Sequence, residues 1–402
     1  MNTKIKLQAP KGWSIKQIGD LLDFERPDNY IVESEIYSPQ NKTPVLTANK
    51  SFVLGYTNED FGIYKNIPAI IFDDFTTDSK FVDFPFKIKS SAIKILKSKE
   101  EDSDLRFVHE LMKSINFQIA NHKRHYISQY QYLEVAVPPV NEQKKIAEIL
   151  STVDLEIEKT DEIILQTEKL KNGLTQKLFT KGVNHKKFKS TKLGDIPEDW
   201  SVVSIKNAPL QLIDGDRGIN YPKLSDFSSG GYCLFLNNKN IKDDHFVFSN
   251  MQFITREKDE LLKKGKLERL DVVLTTRGTV GNVAFYDEKV TFENIRINSG
   301  MILLRACEEL SSSFLYHLMK SPLMKKRYLG VASGSAQPQL PIRSLEQIYI
   351  PIPPEDEQEE IVNICKTLDV KVLENAQYKE YLTILKKGLM QDLLSGNKRV
   401  KI

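Results

Sequence analysis

Pro138-Pro139-Val140-Asn141-Glu142-Gln143-Lys144-Lys145-Ile146-Ala147-Glu148-Ile149, near the middle of the chain, returns as Pro353-Pro354-Glu355-Asp356-Glu357-Gln358-Glu359-Glu360-Ile361-Val362-Asn363-Ile364. The shift of 215 residues that aligns Glu142 with Glu357 also aligns, without a gap, Thr152 with Thr367, Asp154 with Asp369, Leu170 with Leu385, Lys171 with Lys386, Gly173 with Gly388 and Leu178 with Leu393. A register held that long marks a duplication. In both copies the proline pair fixes an extended lead-in, and no proline interrupts the segment after it. Apolar residues then recur at helical spacing: Ile146, Ile149, Leu150, Val153, Ile157, Ile164, Leu170, Leu174 and Leu178 in the first copy, and Ile361, Ile364, Leu368, Val372, Leu382, Leu385, Leu389 and Leu393 in the second. Each copy therefore predicts one long helix of roughly 38 residues, about 57 Å at 1.5 Å per residue. A single apolar stripe on a long helix needs a partner, and the other copy, equal in length and register, supplies one as a coiled coil.

The chain has 402 residues, 40% hydrophobic and 28% charged, the composition of a globular protein of two or three domains. The first residues, Met1-Asn2-Thr3-Lys4-Ile5-Lys6, lead into no apolar run, and no stretch approaches the ~18 apolar residues of a membrane span. A cytoplasmic protein without membrane association is expected. Cys233, Cys307 and Cys365 stand far apart, which argues against a disulfide framework and a zinc site. The net charge of +3 divides as +1 over residues 1–133, −3 over 134–180, +5 over 181–192, +1 over 193–347 and −1 thereafter. Bulk charge does not mark a nucleic-acid binder, so such a claim rests on local clustering.

Residues 1–133 read as a strand-rich first domain, followed by the first long helix (134–182) and a basic connector (183–199) with Lys186, Lys187 and Lys189. The chain then begins again. Trp200-Ser201 opens a second domain (200–347) as Trp13-Ser14 opens the first, and the second helix fills 348–402. The fold class expected is α+β, two strand-rich domains each followed by a long helix.

Two loops of the second domain combine small flexible residues with polar donors, a pattern that lets backbone approach phosphate and side chains reach base edges. One carries Arg277, Gly278 and Thr279, the other Ser335, Gln337 and Gln339. Composition alone favours reading them as a pair of hairpin turns. In the first domain Lys50, Lys123 and Arg124 are the basic candidates for DNA contact. His122 and His125 flank two cations with no adjacent carboxylate, which suits a basic surface turn better than a metal. Asp73, Asp74 and Asp78 could hold Mg²⁺ in a nuclease, yet they follow the strand-like Ile70-Ile71-Phe72 and read as a strand end and turn. No phosphate-binding Gly-rich loop with Lys-Ser/Thr occurs. The residues before the proline pairs, Val137 and Ile352, are not the Asn or Asp with which an amino-methyltransferase holds a flipped base. No catalytic, cofactor or metal site is assigned. Glu142, Gln143, Glu357 and Gln358, polar residues at equivalent helix starts, are the candidate partner contacts.

The duplicated Pro-Pro-x-x-Glu-Gln helix start, each copy after a domain opened by Trp-Ser, together with Leu193-Gly194-Asp195-Ile196-Pro197-Glu198-Asp199-Trp200, resembles the specificity subunit of type I restriction-modification systems over essentially the whole chain. Gly334-Ser335-Ala336-Gln337-Pro338-Gln339-Leu340 is similar to the loop that such proteins place before the second helix, whereas Asn116-Phe117-Gln118-Ile119 in the first domain lacks the glycine. The resemblance implies an antiparallel coiled coil with a pseudo-two-fold arrangement. It also implies two target-recognition domains that each read half of a bipartite double-stranded DNA site, and helices that set the unread gap and dock two methyltransferase subunits. Those subunits would use S-adenosylmethionine, this chain would bind no cofactor and catalyse nothing itself, and motor-nuclease subunits would complete the complex. Two other classes stay open from the residues alone: a stand-alone DNA-modifying or DNA-cutting enzyme, and a coiled-coil adaptor without a DNA role.

Overall fold

The computed structural model describes residues 8–48, 51–99, 103–119, 123–242, 244–334 and 338–402. Both predicted helices are present, as Val140–Lys181 (42 residues) and Glu355–Leu394 (40 residues). The chain forms two compact units, and each helix is shared between them: the first unit holds residues 1–162 and 377–402, the second 163–376. The predicted boundaries, with each helix as a domain of its own, are thereby revised. A long helix has no core of its own, so each end joins the core of the globular part beside it. Ile146, Ala147, Leu150, Leu393 and Leu394 are buried in the first unit with Trp13 and Phe107. Leu178, Phe179, Ile361, Val362 and Cys365 are buried in the second with Trp200 and Phe314.

In the first unit a four-stranded antiparallel sheet runs in the order Leu22–Glu25, Ile93–Ser98, Ala69–Asp73, Ser79–Val82. Side chains alternate across it with a period of two. Ile70, Phe72 and Leu96 face the helices, while Ala69, Ile71, Ile93 and Ile95 face a second core with Leu46, Phe86 and Ile88. That second core is closed by a three-stranded sheet, Val53–Thr57, Thr43–Leu46, Lys87–Ile88, whose last pair is parallel. The second unit repeats this plan with unrelated residues. Its four-stranded order is Leu210–Asp214, Met301–Ala306, Val272–Thr275, Val283–Phe285, and its three-stranded order is Phe253–Ile254, Cys233–Leu236, Ile295–Ile297, again with a parallel pair. Val272, Leu274, Ile302 and Leu304 face the helices, and Val273, Met301 and Leu303 face the other core.

The strand after each Trp-Ser pairs with the strand that leads into each Pro-Pro: Ser14–Gln17 with Glu134–Val137, and Ser201–Ser204 with Tyr349–Ile352. The basic connector is not a loose linker. It folds as a hairpin, Phe188–Thr191 against Gly194–Pro197, and buries Ile196 in the second unit.

Within each unit the two helical segments run antiparallel. In the first, Asp154 pairs with Lys386 and Asp161 with Lys379, so moving down one helix moves back up the other. In the second, Lys171 pairs with Asp369, the same two duplicated positions with the helices exchanged, the first now supplying the cation. The seam is more polar than the predicted stripe: Thr160 and Thr175 are buried, whereas Leu170 and Leu385 are exposed. In the structure Leu155, Leu170, Val370 and Leu385 all keep apolar surface uncovered.

The helix starts also correct an expectation. Glu142, Gln143, Glu357 and Gln358 are buried rather than presented to a partner. The Gln143 amide donates to Pro138 O at 2.9 Å, and its oxygen accepts Asp104 N–H at 2.9 Å. The Gln358 amide donates to Pro353 O at 3.0 Å and Glu309 O at 2.9 Å, and its oxygen accepts Ser311 N–H at 2.8 Å. Asp104 and Ser311 are the N-caps of the helices Leu105–Ser114 and Ser312–Met319. Each glutamine therefore clips a long helix to a domain helix. Glu142 accepts the indole N–H of Trp13 at 3.2 Å and two bonds from Arg399 at 2.5 and 2.6 Å. Glu357 accepts the indole N–H of Trp200 at 2.6 Å and Val183 N–H at 2.9 Å, with His185 Nε2 at 2.8 Å. Truncating Gln358 to alanine leaves Pro353 O, which is buried, and Glu309 O and Ser311 N–H, which are partly so, without these partners, and the expected result is a stability loss of about 1–3 kcal/mol in urea unfolding. The same holds for Gln143→Ala. Unchanged midpoints would show that the clip does not stabilise the fold.

Candidate nucleic-acid interface

The strand Val272–Thr275 ends in Thr276-Arg277-Gly278-Thr279, and two glycines with positive φ, Gly278 (69°) and Gly281 (92°), let the chain turn back at once. Thr275 Oγ1 locks the turn by accepting Asn282 N–H at 3.0 Å and donating to Thr279 O. Gly300 O accepts the N–H groups of Thr276 (2.8 Å) and Arg277 (3.2 Å), and the Asn238 amide donates to Arg277 O. The second loop named from sequence lies against the first. Leu340 N–H donates to Thr276 O at 2.8 Å, Arg277 bridges Gln339, and Ser333 and Gln339 exchange two bonds of 2.9 Å. Arg277, Gly278, Thr279 and Gln339 are all exposed. The two loops are thus one surface, built at the end of the central strand; Ser335 and Gln337 lie outside the described residues.

Further loops join this surface that the sequence reading did not name. Arg217 donates to Asp214 Oδ1 at 3.1 Å and to Ser299 O at 3.4 Å. Asp216 accepts Gly218 N–H at 2.9 Å and Lys263 N–H at 2.8 Å. These bonds, that of Gly218 first, hold the Asp216 carboxyl below its ordinary value, so its charge is used on its own backbone. Arg217, Lys239, Lys263, Lys264 and Arg277 are all exposed. The signal available in the sequence was Gly215-Asp216-Arg217-Gly218, a cation between two glycines directly after an apolar strand.

The first unit places its basic residues at the same station. His125 N–H donates to Asp74 O at 2.9 Å, just past the end of Ala69–Asp73, as Leu340 N–H donates to Thr276 O just past the end of Val272–Thr275. Arg124 therefore takes the place of Gln339, and Lys123 precedes it; both are exposed. Lys50 and His122 lie outside the described residues.

The carboxylates weighed for a metal are engaged by their own chain. Asp73 accepts Phe75 and Thr76 N–H, both at 2.9 Å, and Asp74 pairs with buried Lys94 at 3.1 Å and accepts Tyr126 N–H at 2.8 Å. His185, Asp199 and Glu357 also lie together. The imidazole turns Nε2 toward Glu357 (2.8 Å) and Nδ1 toward Asp199 (3.6 Å), and Glu357 is already engaged by the Trp200 indole and Val183 N–H. Among the described residues no helix is long and apolar enough to cross a membrane.

The sequence and the fold of this chain are matched in known proteins. The chain matches the family described as the type I restriction modification DNA specificity domain over residues 10–169 and 197–383. It is 27% identical to the type I restriction enzyme MjaVIII specificity subunit of Methanocaldococcus jannaschii, over 98% of this chain and 95% of that protein. It is also 27% identical to the EcoR124I/EcoR124II specificity subunit of Escherichia coli, over 88% of this chain and 85% of that one. Its fold is that of the crystal structure of a type I restriction-modification S subunit from M. genitalium, with a TM-score of 0.61 at 18% identity over 98% of this chain and 99% of that chain. The chain belongs to the type I restriction-modification DNA specificity family.

Proposed function

We propose that this chain is the DNA-recognition subunit of a type I restriction-modification complex and reads a bipartite duplex target, one half with each unit. The observation that carries the reading is the strand-end surface built twice, with Arg277 and Gln339 in the second unit and Lys123 and Arg124 at the equivalent place in the first. Arg can bond a guanine edge with two parallel hydrogen bonds and Gln an adenine edge, while lysines add phosphate contacts. The long helices, 42 and 40 residues, support a fixed unread gap between the halves. Two copies of a methyltransferase would dock on the exposed apolar residues that the duplication repeats, Leu155 and Leu385 in the first unit, Leu170 and Val370 in the second. S-adenosylmethionine chemistry would belong to that partner, cleavage to motor-nuclease subunits, and the whole assembly to the cytoplasm where the DNA is. Replacing residues 201–347 by the matching segment of a relative tests the reading by mapping methylated bases in cells. One half of the methylated motif is expected to change while the other half and the gap stay fixed. A change in both halves, or in neither, would overturn it.

A further inference from the structure

Ile219 is 97% exposed, next to the strand-end surface of the second unit. Its place is a turn corner: Tyr221 N–H donates to Gly218 O at 3.0 Å, which puts Ile219 and Asn220 at the two central positions. Turn corners are the home of Gly, Pro, Asn and Asp, and a bulky β-branched residue there gains nothing from the turn itself. Nor is the corner loose. The Asp216 carboxylate ties Gly218 and Lys263 together, and Arg217 is fixed between Asp214 and Ser299. From Ser299 the contacts pass to Gly300, whose carbonyl accepts Arg277 N–H. The isoleucine is therefore a rigidly mounted apolar projection on a loop that carries Arg217, is tied through Asp216 to Lys263 and is joined through Ser299 and Gly300 to the loop of Arg277, on the face assigned to DNA.

The first unit offers a partial parallel. The loop after Leu22–Glu25, which corresponds in the sheet to Leu210–Asp214, carries Ile36 at 81% exposure. Its sequence neighbours Glu33 and Glu35 are acidic, and the cation at Glu35, Lys89, is already paired with it, so the residues beside Ile36 do not offer cations to hold phosphates next to an inserted side chain.

Resting on the DNA-recognition reading, we propose that Ile219 is a wedge that inserts between two base pairs of the half-site read by the second unit, with the surrounding cations holding the flanking phosphates. Apolar side chains that part a base step trade stacking for a bent duplex and a closer protein fit. Their preference for steps that unstack easily adds sequence selectivity at a position without a hydrogen bond.

The test uses the full chain assembled with its methyltransferase subunits and a duplex carrying the methylated motif, with 2-aminopurine placed step by step through that half-site. Stacking quenches this base, so insertion reads as a rise in fluorescence on binding. The wild-type complex is expected to brighten one step. Ile219→Ala is expected to abolish the rise and weaken cognate binding about tenfold or more, while unrelated duplex is bound as before and the partner still co-purifies. Unchanged affinity and fluorescence in Ile219→Ala would overturn the wedge, and so would lost affinity with no brightening in the wild type. Loss of partner co-purification would overturn it in favour of a protein contact. Arg277→Ala separates this from the underlying reading. If that variant weakens cognate binding while Ile219→Ala does not, only the wedge fails; if neither matters, DNA recognition by this face fails with it.

Discussion

Replacing Arg296 by methionine is expected to cost about 3–5 kcal/mol, enough to unfold much of the second unit at 37 °C. The guanidinium is buried and every donor group has a use. Nε bonds Asp259, Nη1 bonds Lys264 O at 2.7 Å, and Nη2 bonds Asp259 O and Leu262 O at 2.8 and 2.9 Å. Methionine fills a similar volume but leaves three carbonyls and a buried carboxylate without these partners. The stretch so held, 259–264, is the one that presents Lys263 and Lys264 to the strand-end surface, so the loss of fold and the loss of DNA binding should appear together. Burial pushes the Asp259 carboxyl up, yet Lys266 and Arg296 outweigh it and hold it below its ordinary value. A depressed folded value stabilises above the unfolded carboxylate value of about 4 and loses that contribution as pH falls through the folded one. The acid limb of the unfolding profile should accordingly move to higher pH in Arg296→Met. Urea titrations from pH 7 to pH 3 measure both effects, and a variant within about 1 kcal/mol of wild type at pH 7 would show that the cluster is dispensable.

The duplicated lysines Lys386 and Lys171 are expected to differ sharply when each is changed to methionine, although their sequence positions are equivalent. Lys386 is 8% exposed and bonds Asp154 at 2.5 Å and Glu110 at 3.1 Å. Glu110 is itself buried, and Lys113 is the other cation of the group, at 3.0 Å from Glu110 and 3.8 Å from Asp154. Two carboxylates and two ammonium groups balance, and Lys386→Met leaves an excess negative charge out of water, at a cost of about 3 kcal/mol. In the second unit the place of Glu110 is taken by His317, each lying on a domain helix clipped by a long-helix glutamine. Burial, then Lys320, pushes the His317 value down to about 3, so the imidazole is neutral at pH 7. Asp369 there faces both Lys171 (2.6 Å) and Lys320 (2.5 Å), one carboxylate for two cations. Lys171→Met removes the surplus charge and leaves Asp369 its second partner, so a change under about 1 kcal/mol is expected. Equal losses for the two variants in urea unfolding would show that the local charge count does not decide.

Duplication, helix length and helix register could be read in the residues because they are local and periodic. Proline pairs set the starts, a spacing of three and four residues marked the stripe, and a gapless shift tied Asp154 to Asp369 and Lys171 to Lys386. The family resemblance followed from the same stretches. What a side chain does once the chain is folded was not local, and there the tertiary structure decided. Glu142-Gln143 and Glu357-Gln358 look like exposed helix-start residues until the indoles of Trp13 and Trp200 and the N-caps Asp104 and Ser311 arrive from distant sequence and bury them. Arg277 and Gln339 become one surface only because a backbone hydrogen bond joins Leu340 to Thr276, and Lys123-Arg124 matches that surface through the bond from His125 to Asp74. No residue identity is shared between those two stations, since a backbone N–H and C=O pair places any side chain alike. Sheet topology, repeated in both units with unrelated strands, is preserved by an alternation of apolar residues rather than by particular ones. The sequence by itself determined the helices and their register; the contacts between residues far apart in the chain decided which polar groups are buried as struts and which stand exposed.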